Sequence, residues 1–223
     1  MSIVFIKSKE KVDDLYTLER NQHSRKAWVD AFLTFLKKIT FKWKVRNRDL
    51  PRGKHLKPRL LIKSPVHTAR IPLLLKLFPN AKFIYIHRHP VQVIQSAAHM
   101  ANTYYWYSAL QRPDDAATER FIMDQFVLLN RQYIRDRHLI AKENLIEVEF
   151  SALDSDPIRT INTIYDFFEL GDFAKRMEPR LREYIEANNL NNFKKNAHVP
   201  LSNFCIKEIR RACPEAFDLF NYK

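Results

Sequence analysis

The stretch LLIKSPVHTARIPLLLKLFPNAKFIYIHRHPVQVIQS, residues 60–96, constrains the fold of this chain more than any other segment. It holds two short apolar runs, LLIK and AKFIYIH, each followed by a loop and a helical pattern, and such runs suit strands buried on both faces. Pro72 falls in the first turn of the intervening helix, residues 70–78, where a missing N–H is tolerated, and Pro79 ends it. Pro90 opens a second helix running to about Tyr104. A crossover of this length joins parallel strands, so RLLIK and AKFIYIH are expected as parallel neighbours. Ligands of open α/β sheets sit beyond the carboxyl ends of such strands. Here those ends carry Lys63 and His67 in one loop and Arg88 and His89 in the other, so the expected ligand is an anion.

The rest of the chain continues the pattern. SRKAWVDAFLTFLKKI starts at a capping Ser24 and spaces Trp28, Phe32, Phe35, Leu36 and Ile39 as one helical stripe. Residues 116–141 carry a long amphipathic pattern with Phe121, Phe126, Leu129 and Tyr133, and NLIEVEF is a third strand candidate. SDPIRTINTIYDFFEL is a helix capped by Asp156 with Pro157 at its first position. Residues 173–223 read as helices around the polar loop NNLNNFKKNAHVPLS. Strands alternating with helices define an α/β class, a parallel sheet flanked by helices and rich in helix. The 223 residues, 46% of them hydrophobic, are read as one domain. Within it residues 1–23 have no assigned element, 24–59 form a helix plus basic linker, and 60–223 form the core.

Composition removes several functions. There are two glycines: Gly53 lies in the basic linker and Gly171 is placed as a helix C-cap, so no Walker-type or dinucleotide loop exists. Cys205 and Cys213 give neither a disulfide framework nor metal-ligand spacing, and no metal is expected. No apolar run approaches the roughly 18–20 residues of a membrane span, and MSIVFIKSKEKVDD is too short in apolar residues for a signal peptide. A soluble chain with a cytoplasmic location is favoured. The net charge of +13 is concentrated in residues 37–59, with ten Lys or Arg against Asp49. That stretch is either a solvated surface or an attractor of polyanions, whether nucleic acid, acidic polysaccharide or anionic membrane. Charge alone does not make a nucleic-acid motif, and no specific nucleic-acid partner is expected.

The quoted 60–96 stretch resembles the core of the sulfotransferases that use 3′-phosphoadenosine 5′-phosphosulfate (PAPS). The branch it resembles reads Lys-Ser-Pro-x-His, then a Phe-Pro-x-Ala-x-Phe turn and strand, then His-Arg-x-Pro with a serine eight residues past the arginine. EVEFSALDSDPIRTINTIYDFFEL and NNFKKNAHVPLS are similar to that family's later strand, Asp-Pro helix and basic loop. The resemblance implies a P-loop-NTPase-like sheet and transfer of a sulfuryl group from PAPS, as co-substrate, to a hydroxyl-bearing acceptor, with carbohydrate (anionic carbohydrate included), peptide tyrosine and small alcohols all open. It assigns Arg88 and Ser96 to the cofactor's 3′-phosphate, Lys63 to the phosphosulfate, and His67 to the acceptor proton. Lys194 and Lys195 would close over the 3′-phosphate. A guanidinium fork with a hydroxyl suits a phosphate dianion, and an imidazole suits proton abstraction near neutrality. In cytosolic members the lysine and histidine stand two apart, whereas here they stand four apart, so a loop histidine bonded to backbone is the alternative role for His67.

Two further expectations follow. Alternation along AKFIYIH sends His87 and His89 away from Arg88, as packing residues or as supports of the site from behind, and YYWY at 104–107 forms either an acceptor-binding wall or core. Members of the family begin with a strand and a Gly-containing Ser/Thr loop holding the 5′-phosphosulfate, whereas residues 1–23 contain no glycine. The sheet is thus read as N-terminally incomplete, either by truncation or by decay to a non-catalytic member that binds only the 3′-phosphoadenosine nucleotide or a polyanion.

Overall fold

A computed structural model describes residues 13, 14, 16–48, 59–105, 114–194, 196 and 198–223. The chain divides into two compact units, residues 6–70 and a second consisting mainly of 71–223.

In the first unit, helix α1 (Gln22–Arg46) takes its cap three residues before the Ser24 signal. Asn21 is the cap, its side-chain oxygen accepting from the Ser24 N–H at 3.0 Å, and asparagine is among the strongest capping residues. The helix runs on through half of the basic stretch. Its predicted stripe is only partly buried: Leu36 is enclosed, while Phe35 is 56% and Ile39 36% exposed. After residues 49–58, which lie outside the described residues together with Gly53, the chain returns at Arg59 and forms a 3₁₀ turn over Pro65–Ala69.

RLLIK is not a strand. Residues 59–64 have no ladder partner among the described residues, and Leu61 is 88% exposed. Continuous apolarity announces burial, but a strand also needs a neighbour for its N–H and C=O groups.

In the second unit, α2 (Ile71–Leu77) leads to β1 (Phe83–His87), and α3 (Pro90–Met100) continues as a π turn, Ala101–Tyr105. The long α4 (Asp115–Asp136) precedes β2 (Leu145–Glu149), after which come α5 (Phe150–Ser155) and α6 (Pro157–Phe167). The tail holds α7 (Phe173–Arg176), α8 (Glu178–Ala187), α9 (Asn203–Ala212) and α10 (Glu215–Asp218). Asp156 caps α6 as read from the sequence, accepting from the Arg159 N–H at 3.0 Å.

β1 and β2 pair in parallel, with Phe83 opposite Leu145 and His87 opposite Glu149. Among the described residues the sheet has these two strands, with helices dominating the unit, so the α/β class holds with an excess of helix. Alternation sends Phe83 and Tyr85 to a cluster with Ile71, Tyr133 and Ile140. Ile146 and Val148 face the other way, against Ile164 and Phe168 of the α6 end. A third cluster joins Ile94 of α3 to Phe126 of α4, Ile209 of α9 and Phe217 of α10.

The end of α6 corrects one reading of a glycine. Leu170 N–H donates to the Tyr165 carbonyl at 2.9 Å and Glu169 N–H to Asp166 at 3.2 Å, the two bonds of a Schellman motif. The left-handed position belongs to Glu169, at φ 52°, while Gly171 takes its own positive φ of 108° two residues later, ahead of α7.

Candidate functional site

The second unit contains Arg88 and Ser96. Arg88 directly follows β1, where Pro90 and the His89 cap turn the chain into α3; the His89 Nδ1 accepts from the Val91 N–H at 3.3 Å. The Arg88 Nε–H donates to Gln92 Oε1 at 2.9 Å, and its guanidinium carbon lies 4.6 Å from the centre of the Phe150 ring. No carboxylate pairs with Arg88 among the described residues. Nε accounts for one of the five guanidinium N–H donors, and the other four make no hydrogen bond there. Arg88, Gln92 and Ser96 follow one another at four-residue intervals, and Ser96 sits half-buried on α3. Neither Gln92 nor Phe150 was singled out from sequence, although the four-residue spacing offered a signal for Gln92.

The C-terminal loop is fastened to the same helix. Gln95 Nε2 donates to the Val199 carbonyl at 3.0 Å, and the His99 and His198 rings meet edge to face at 5.7 Å. Lys194 is exposed in this loop, and Lys195 lies outside the described residues. So do two members of the aromatic run, Trp106 and Tyr107; Tyr104 is 52% exposed.

The flanking histidines pack, as alternation implied. The His87 ring stacks on Phe220 at 3.7 Å, and its Nδ1 lies 2.7 Å from the Tyr222 hydroxyl. His89 meets Phe217 edge on, with its Nε2 3.1 Å from the Lys223 carbonyl oxygen. Burial holds the His87 imidazole below its ordinary range.

Lys63 and His67 belong to the first unit. Lys63 is exposed in the extended segment before the 3₁₀ turn that carries His67. The His67 ring is packed edge on against Phe32 at 5.5 Å and Trp28 at 6.1 Å. Its Nδ1 is buried with no hydrogen-bond partner among the described residues. Burial, and then the Arg70 charge, push the imidazole below its usual value, so it is neutral near pH 7. Arg70 is itself 5% exposed. Its Nε–H donates to the Tyr16 carbonyl at 2.7 Å, its guanidinium lies 4.6 Å from the Trp28 ring centre, and burial draws its pKa down to about 10. Trp28 and Phe32, read from sequence as part of a core stripe, are thus the walls around a neutral imidazole.

Two open cavities of about 380 and 420 Å³ lie beside α6, one against β2 and the other toward α7 and α8. Asp156, the α6 cap, lines both, and neither is lined by Lys63, His67, Arg88, Ser96 or Lys194. Among the described residues no group of His, Cys, Asp and Glu could hold a metal ion, and no helix is long and apolar enough to cross a membrane.

The described residues thus form an α/β unit in which Arg88 follows the first of two parallel strands, just ahead of a helix, with no carboxylate partner among them. The sequence pattern of the Sulfotransferase family matches residues 8–174, well over half of the chain, and the chain belongs to that family. Over 126 residues it is 33% identical to proteins of Mycobacterium bovis and Mycobacterium tuberculosis, each named omega-hydroxy-beta-dihydromenaquinone-9 sulfotransferase. That alignment covers 56% of this chain and 32% of each relative, so the chain spans about a third of the length of the curated relatives it matches. The crystal structure of sulfotransferase STF9 from Mycobacterium avium shares the fold, with a TM-score of 0.61 and 22% identity over 73% of this chain and 42% of that one.

Proposed function

We propose that this chain takes part in transfer of a sulfuryl group from PAPS to an acceptor hydroxyl, with Arg88 and Ser96 holding the nucleotide's 3′-phosphate. The observation that carries the reading is the state of Arg88: fixed by Gln92 and Phe150, free of carboxylates among the described residues, and left with four N–H donors. A phosphate dianion fits that donor set. The Ser96 hydroxyl, one helical turn beyond Gln92, adds a further donor. Lys194 and Lys195 bring cations from the loop fastened to α3 through Gln95.

Bound, the nucleotide supplies the sulfuryl group. In our reading Lys63 neutralises charge on the phosphate oxygen as its bond to sulfur breaks. A ring nitrogen of His67 takes the acceptor proton as the acceptor oxygen bonds to sulfur. A neutral His67 with a depressed pKa supports that role, because a base must be unprotonated to act. The mycobacterial relatives carry an omega-hydroxy compound in their names, which supports a hydroxyl-bearing acceptor.

The test is calorimetry with 3′-phosphoadenosine 5′-phosphate, joined to transfer of radiolabelled sulfate from PAPS to hydroxyl acceptors. Loss of a charge-assisted contact costs about 1.5–3 kcal/mol, so Arg88→Ala is expected to weaken nucleotide binding about ten- to a hundred-fold. His67→Ala leaves that affinity nearly unchanged while abolishing turnover. Binding without turnover in the parent chain assigns it to the nucleotide-holding reading alone, and an indifferent Arg88→Ala overturns the phosphate assignment.

A further inference from the structure

We infer that the C-terminal half of α1 is a docking surface for an anionic lipid bilayer. The two halves of this helix differ in charge. In the first, Lys26 is paired with Asp30 at 2.7 Å. From residue 31 to the end of the helix there is no acid, and Lys37, Lys38, Lys42, Lys44 and Arg46 are all exposed with no ion-pair partner among the described residues. The same half exposes large apolar side chains, Phe41 at 69% and Val45 at 53%.

Helical geometry orders these groups. At about 100° per residue, Leu36, Thr40 and Trp43 gather on one side, the side that is buried or half-buried. Phe41 and Val45, four apart, form a ridge on the opposite side. Lys37 and Lys44 flank that ridge along one edge, and Lys38 and Lys42 along the other. An apolar ridge between two rows of unpaired cations matches a membrane interface, where rings enter the acyl boundary and ammonium groups meet headgroup phosphates. An acidic polysaccharide would engage the lysines and leave the ridge idle.

The experiment is cosedimentation of the full chain with vesicles, either pure phosphatidylcholine or containing about 30% phosphatidylglycerol, with heparin and a single-stranded oligonucleotide as alternative ligands. The expected result is partitioning onto the anionic vesicles alone, weakening with salt. Neutralising Lys37, Lys38, Lys42 and Lys44 to Gln lowers it about five-fold per charge, several hundred-fold together. Phe41→Ser with Val45→Ser lowers it about ten-fold or more although every charge remains. Phe41→Trp, at an exposed site that needs no repacking, gives a blue-shifted emission on the vesicles, and circular dichroism verifies that each variant is folded. Absence of binding, an unshifted Phe41→Trp, or a Phe41→Ser/Val45→Ser variant that binds like the parent overturns the inference. Preference for heparin or the oligonucleotide over the vesicles, or a dimer in ultracentrifugation that buries this ridge, overturns it as well.

Discussion

If Arg88 is an anion ligand, Gln92 and Phe150 matter because they hold it still. An arginine side chain carries about 2 kcal/mol of rotamer entropy, which a ligand must otherwise overcome. In this structure the 2.9 Å bond to Gln92 and the ring of Phe150, 4.6 Å below the guanidinium, restrict it before anything binds. An exposed cation–π contact contributes about 0.5–1 kcal/mol, and the Gln92 hydrogen bond, discounted by its exposure to solvent from the usual value for a charged group, about the same. Together they come to about 1–2 kcal/mol, within the entropy they offset. Gln92→Ala combined with Phe150→Leu is therefore expected to weaken binding of 3′-phosphoadenosine 5′-phosphate about five- to thirty-fold, less than Arg88→Ala does. Calorimetry on a mutant cycle checks the cause: in the Arg88→Ala background the same pair should change affinity by less than two-fold. An undiminished loss in that background would refute the reasoning, because the two residues would then act through the fold or on the nucleotide directly.

Three other outcomes are expected. Glu147 accepts from Tyr133, which is 2% exposed, and from Arg137 Nη2 at 2.6 Å. Glu147→Ala strands both donors and should cost about 2–3 kcal/mol, roughly 4–12 °C in thermal midpoint, read by calorimetric scanning. Glu169→Gly relieves the left-handed strain at the end of α6 and should stabilise by about 0.5–1 kcal/mol in urea titrations, whereas a loss would show that the Glu169 side chain matters more than its φ. His67 is held below its ordinary value in the folded chain, so the unfolded chain protonates first as the pH falls. Stability should drop on acidification below about pH 6.5 until the folded-state pKa is passed, and His67→Gln should flatten that slope in denaturation at pH 7.5, 6.5 and 5.5.

Where a signal was local, the sequence carried it. Pro90 and the Asp156-Pro157 pair act within one helical turn, and α3 and α6 begin where they should. RLLIK failed because pairing is not local: among the described residues β1 takes as its neighbour β2, some sixty positions on, and apolarity in a run names no partner. Phe35 and Ile39 of the α1 stripe failed for a related reason, since helical period fixes which residues share a side but not which of them the rest of the chain covers. At the site, the row from Arg88 through Gln92 to Ser96 was open to counting. Phe150 was not, and neither was the enclosure of His67 by Trp28 and Phe32.

The case of Phe150 shows how strand pairing sets the surroundings of Arg88. His87 lies opposite Glu149, so the residues that follow, Arg88 and Phe150, leave the sheet side by side, and the guanidinium comes over the ring. That contact exists only in this register. The device that selects it lies two residues back: Tyr85 is opposite Glu147, the Tyr85 and Tyr133 rings stack at 3.5 Å, and the carboxylate takes its bonds from Tyr133 and Arg137. Burial and the adjacent Glu147 charge raise both phenol pKa values, so the hydroxyls stay protonated, and that of Tyr133 stays a donor. A slip of β2 by one residue would turn Glu147 onto the face occupied by Ile164 and Phe168, where nothing in that cluster could satisfy it. The polar cluster costs desolvation and in return excludes the slipped pairing. The same exclusion keeps Phe150 under Arg88.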